Sequence, residues 1–124
     1  MRKIVTRGIS IGEIGVTGKA RIIKNNLDMS LICPGEILFV PEELMKNIPL
    51  SKNIAGIVTN QNVNDVYALF NKNNKKISTI CNLENMDDHQ ISNGDLMTLQ
   101  LNEGVIYMGQ IEDDDNALDK YKYV

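Results

Sequence analysis

Residues 54–59 read Ile54-Ala55-Gly56-Ile57-Val58-Thr59, and residues 77–81 read Ile77-Ser78-Thr79-Ile80-Cys81. Ile54 to Thr59 is a continuous apolar run, the pattern of a strand buried on both faces in a parallel sheet. Between the two stretches, Val63, Val66, Tyr67, Leu69 and Phe70 fall on one face at the 3.6-residue period. Asn62 or Asn64 is the expected N-cap, because a short side-chain oxygen there accepts an otherwise unpaired helical N–H. Lys72, Lys75 and Lys76 lie near the other end, where positive charge complements the helix dipole. Strand, helix and strand in this order predict a βαβ unit over residues 54–81.

Working outward, Gly, Pro and Asn divide the chain into further short β-like runs. Lys3 to Thr6 and Lys19 to Lys24 read as strands. Gly8, Gly12, Gly15 and Gly18 lie between these two runs and are read as turn positions requiring φ > 0. Pro34-Gly35 is a turn, and Glu36 to Val40 is a strong strand. Glu42 to Lys46 suits a short helical turn that Pro49 stops. Beyond the βαβ unit, Asn93-Gly94-Asp95 is a turn signal, and Leu96 to Leu101 with Val105 to Met108 form a hairpin around Asn102-Glu103-Gly104. The acidic and polar segment 111–124 differs in character from residues 1–110 and reads as a solvated tail on one domain.

Composition narrows the function classes. The 124 residues fit one domain, large enough to bury a core without a disulfide or metal. Thirteen basic against sixteen acidic side chains give a net charge of −3, which carries no nucleic-acid footprint. No apolar run approaches the roughly 20 residues that span a bilayer. The N-terminus has no signal-peptide core, so a cytoplasmic protein is expected. Cys33, Cys81 and His89 are too few and too scattered for a structural zinc site. Both cysteines are expected to be small buried hydrophobes. His89 is expected to be an exposed loop residue, and Asp87-Asp88 lack the further spaced oxygens of a cation site. No metal and no cofactor are expected.

The ordered set of segments resembles a known family. Gly56-Ile57-Val58-Thr59, the following helix and Ile77 to Asn82 are similar to the core of the swivelling phosphohistidine domain of phosphoenolpyruvate-utilising enzymes. That mobile domain is found in pyruvate phosphate dikinase, in phosphoenolpyruvate synthase and at the end of some bacterial pyruvate kinases. Gly15 to Ile22, Pro34-Gly35-Glu36-Ile37-Leu38, Pro49-Leu50, Asn93 to Leu99 and Gly104 to Tyr107 extend the likeness over most of residues 8–109. The resemblance implies an α/β fold, a swivelling β/β/α three-layer domain with a central parallel sheet.

The departures from the family pattern fall on its chemistry. Asn62 and Val63 stand at the two glycine positions, Val66 at the serine and Tyr67 at the phosphoryl-accepting histidine. The threonine-proline element after Val40 is absent, and Ser78 replaces a proline. Imidazole, with a pKa of about 6.5, is a competent nucleophile near neutrality, whereas a phenol with a pKa of about 10 stays protonated. The resemblance therefore implies a phosphotransferase-like fold without its catalytic residue: a free-standing, non-catalytic interaction or regulatory module. The alternative is a phosphotransfer carrier working with separate partners. The partner the resemblance points to is a protein with an ATP-grasp or phosphoenolpyruvate-binding domain, and finding one would favour the carrier alternative. Tyr67 is expected to pack its ring on the helix with its hydroxyl at the rim. If the old cleft retains a ligand, Thr59, Asn62, Asn64 and Tyr67 are the residues placed to meet it, because free N–H groups gather at a helix start.

Overall fold

The computed structural model describes residues 3–12, 15–84 and 91–109. Asp87, Asp88, His89 and the tail at 111–124 lie outside the described residues. The elements in chain order are β1 (Lys3–Arg7), β2 (Ile9–Ile11), β3 (Val16–Ile22), a 3₁₀ helix (Asn26–Leu31), β4 (Glu36–Val40), a second 3₁₀ helix (Glu42–Asn47), β5 (Ile54–Thr59), α1 (Val63–Lys72), β6 (Thr79–Cys81), β7 (Leu96–Gln100) and β8 (Val105–Met108). The fold is mixed α/β with few helices.

The strands form a single eight-stranded sheet in the order β1-β8-β7-β3-β4-β5-β6-β2. Its middle is parallel: β3 with β4, β4 with β5, and β5 with β6. The outer pairings are antiparallel. The expected βαβ unit is present as β5, α1 and β6, and the expected hairpin as β7 and β8.

Strand alternation sorts the core into two clusters. Leu38, Val40, Ile57 and Cys81 point to the face covered by Val66 and Phe70 of α1 and by Met45 of the second 3₁₀ helix. Ile37, Phe39, Val58 and Ile80 point the other way and pack with Met97, Leu99 and Ile106 from β7 and β8. Ile54 and Ile57 share one face although three residues apart, because the β4–β5 register shifts by one residue between Glu36 and Ile37.

β1 and β2 are consecutive in the chain yet occupy opposite edges of the sheet. Gly8 alone separates them, so the two edges meet there. Its N–H donates to Gly104 O at 2.9 Å. A Cβ at Gly8 would stand 2.5 Å from Cys81 O, and one at Gly104 would stand 2.5 Å from Gly8 O. These glycines serve close backbone approach.

The structure departs from the sequence expectations at several points. Of the four early glycines, only Gly12 has positive φ, at 114°. Gly18 lies inside β3, where a Cβ would meet Gly35 O at 2.5 Å, so it too answers to crowding rather than to a turn. The strand expected over 19–24 runs instead over Val16–Ile22, because it must pair with β7 at Val16 to Lys19 before joining β4. The strand expected over 77–81 shortens to Thr79–Cys81. Cys81 is fully buried, as expected, but Cys33 is exposed in the turn before β4. Among the described residues, no helix is long and apolar enough to cross a membrane.

Candidate functional site

The site positions of the family resemblance lie where β5 passes into α1. Thr59 is fully buried at the end of β5. Its Oγ1 accepts the Gln61 N–H at 3.1 Å, and its carbonyl accepts the Leu83 N–H at 3.3 Å. Asn60 Oδ1 accepts the Glu42 N–H at 2.8 Å, which ties the loop to the second 3₁₀ helix. The loop is held by its own side chains on two sides before the helix begins.

Asn62, not Asn64, is the N-cap, with φ −73° and ψ 157°. Its Oδ1 accepts the Asp65 N–H at 2.9 Å, while its Nδ2 donates to Asp65 Oδ2 at 2.9 Å. Asn62 and Val63 lie outside the left-handed region, so the non-glycine residues fit this loop without strain. Asn64 is exposed in the first turn.

Asn82, just beyond β6, completes the cap. It adopts φ 65°, a left-handed conformation that asparagine tolerates better than most side chains. Its N–H donates to Gln61 O at 2.9 Å, and its Oδ1 accepts the Val63 N–H at 2.8 Å. Two of the three first-turn N–H groups, those of Val63 and Asp65, are therefore taken by the chain's own asparagines. The anion-binding capacity of a bare helix start is largely spent here. Sequence reasoning missed Asn82; an asparagine directly after a short buried strand was the available signal.

The two remaining positions separate. Val66 is fully buried in the helix-side cluster, so the serine position is a core position here. Tyr67 is 41% exposed in the second turn of α1. It lines an open hollow of about 300 Å³ with Phe70, Asn71, Asn74, Lys75 and Lys76, toward the C-terminal end of the helix. Thr59, Asn62 and Val63 are brought together at the helix start, whereas the Tyr67 ring opens onto a hollow that contains none of them. Among the described residues, no three of His, Cys, Asp and Glu gather to hold a metal ion.

No family model matches the chain. Pyruvate kinase 2 of Synechocystis is 25% identical over 111 residues, covering 90% of this chain and 19% of that enzyme. The chain thus spans about a fifth of the length of the curated relative it matches. Among solved structures, MccF in complex with glutamyl sulfamoyl guanosine aligns with a TM-score of 0.50 and 13% identity over 88% of this chain and 41% of that one. The apo inactive mutant of MccF, a microcin C7 self-immunity protein, gives the same values. At that identity the likeness is one of fold alone.

Proposed function

We propose that this chain is a non-catalytic relative of the swivelling phosphohistidine domain and acts as an interaction or regulatory module. The observation that carries this reading is the self-capped start of α1. In the family pattern a glycine pair lets the backbone approach the phosphoryl group. Here Asn62 Oδ1 and Asn82 Oδ1 occupy first-turn N–H groups that an oxyanion would need. A phosphoryl group would have to displace both asparagines, and no imidazole stands at position 67 to receive it.

Further support comes from the pyruvate kinase relative, which is similar over nine-tenths of this chain. The fold is compatible as well. An apolar cluster on each side of the parallel strands suits the β/β/α layering of the swivelling domain. On this reading the chain works in the cytoplasm beside a partner that carries an ATP-grasp or phosphoenolpyruvate-binding domain.

The test is incubation with labelled phosphoenolpyruvate, or with labelled ATP and a separate nucleotide-binding domain, followed by phosphopeptide mapping. No label is expected on the chain or on Tyr67→His. Transfer depends on positioning and charge stabilisation, and a misplacement of about 1 Å can cost on the order of a hundredfold in rate. Label on Tyr67 or His89 that passes to an acceptor would overturn the reading in favour of a phosphotransfer carrier.

A further inference from the structure

The βαβ connectivity sorts charge toward one edge of the sheet. The second 3₁₀ helix joins β4 to β5, and α1 joins β5 to β6. These strands are parallel neighbours, so both connections run back from the strands' C-terminal ends to their N-terminal ends. Each begins with acidic residues, Glu42 and Glu43 in one and Asp65 in the other. Each carries a lysine in its last turn, Lys46 and Lys72 respectively. Their basic ends gather at the edge opposite the Thr59–Asn62 loop.

Asn74 strengthens the gathering. At φ 51° it reverses the chain after α1, and the Lys75 N–H reaches back to Phe70 O at 3.0 Å. Lys75 and Lys76 therefore turn beside the helix end. Two open hollows result, of about 300 and 450 Å³, and they share Asn74 and Lys75. One reaches Tyr67 and Lys76, the other Lys46 and Ser51. Lys46, Lys75 and Lys76 are all exposed, and none has an ion-pair partner among the described residues. One lysine in the last turn satisfies the helix dipole. Lys75 and Lys76 lie past the helix and Lys46 comes from another element, so the dipole does not account for this cluster.

We propose that this lysine-lined trough is a docking surface for an acidic peptide segment of a partner protein. It deepens the interaction-module reading and rests on it, by naming the surface used and the partner's chemistry. Two adjoining hollows suit an extended chain better than a single small anion. The trough also offers apolar contact, from the exposed Tyr67 ring and the partly buried Leu69. Nucleic acid is disfavoured because Tyr67 is the lone aromatic exposed there. Residues 1–109 also hold eleven acidic and eleven basic side chains, so the body carries no basic excess.

The test is titration of the full chain with a synthetic peptide of eight glutamates and leucines in alternation, monitored by amide chemical shifts at low salt. Shifts should centre on Tyr67, Asn74 and Lys75, and affinity should fall as salt is raised. The Lys75→Glu/Lys76→Glu variant, with its far-UV spectrum and melting unchanged, should bind at least tenfold more weakly. Lys46→Gln should weaken binding by a smaller factor. Lys24→Gln, just past the C-terminal end of β3 at the opposite edge, should bind as the parent does. Absence of saturable binding, equal binding by the double variant, or tighter binding of pyrophosphate or a single-stranded RNA oligomer would overturn the proposal. The labelling experiment above reads the non-catalytic assignment separately, so the two can fail independently.

Discussion

Arg21 and Glu36 are joined by two parallel hydrogen bonds, Nε to Oε1 at 3.0 Å and Nη2 to Oε2 at 2.9 Å. They bind β3 to the first residue of β4, on the sheet face that carries Leu38 and Ile23. The Cys33 N–H adds a third bond to Glu36 Oε1 at 2.8 Å. Glu36 is 7% exposed. Its burial pushes the carboxyl pKa up, but the Arg21 hydrogen bonds, the Cys33 N–H and the nearby positive charge together bring it below the ordinary range. The hydrogen bonds that Arg21 donates to the Glu36 carboxylate, against some desolvation, raise the Arg21 pKa.

Removing one partner of this pair should be costly, since it leaves the other charge in a partly desolvated site. Glu36→Ala should destabilise the fold by about 3 kcal/mol, measured by urea unfolding. The pair's contribution is present above the carboxyl's unfolded pKa of about 4.3 and is lost as pH falls through the lowered native value. The parent should therefore lose more stability than Glu36→Ala does on acidification below about pH 4.

At Asn82, cap and backbone conformation can be tested apart. Asn82→Gly keeps the left-handed backbone but loses the bond to the Val63 N–H, and should cost about 1 kcal/mol. Asn82→Ala loses the bond and adds left-handed strain, for a total of about 2–3 kcal/mol. Chemical denaturation of both variants gives the order, and an alanine no worse than the glycine would refute this account.

Gly8 offers a test of the meeting sheet edges. A methyl group there would lie 2.5 Å from Cys81 O and 2.7 Å from Ile80 Cγ2. Ile80 is fully buried and the carbonyl belongs to β6, so neither can easily yield. Gly8→Ala should destabilise by about 2–3 kcal/mol, as overpacking of a filled site does. Gly94→Ala is a contrasting variant: a Cβ there meets nothing within 4 Å, and its cost should come from φ 92° alone.

The two thiols should differ in reactivity. Burial pushes the Cys81 thiol up to about 11, while Cys33 is exposed. A thiol reagent should label one cysteine per native chain at pH 8, mapped to Cys33, and both after denaturation. Native stability should fall as pH rises above about 8.5, because the unfolded chain then ionises a thiol that the native state keeps protonated. Cys81→Ala should reduce this alkaline decline.

The central unit follows from local side-chain spacing. The apolar run 54–59, the helical period from Val63 to Phe70 and the second β run prescribe local structure through side-chain spacing, and β5, α1 and β6 follow it. The Leu96 to Met108 hairpin was legible for the same reason. The remaining features depend on contacts between residues far apart in the chain. β2 is three residues long, too short for a periodic signal, and exists through its pairing with β6. Gly8 and Gly18 owe their identity to carbonyls at positions 81 and 35, which no local pattern names. Cys33 is exposed because its backbone serves Glu36 in a turn, although thiols in general favour burial. The helix start looked open to an anion in one dimension. It is closed by Asn82, nineteen residues away, because the parallel pairing of β5 with β6 sets the end of one strand beside the first turn that follows the other.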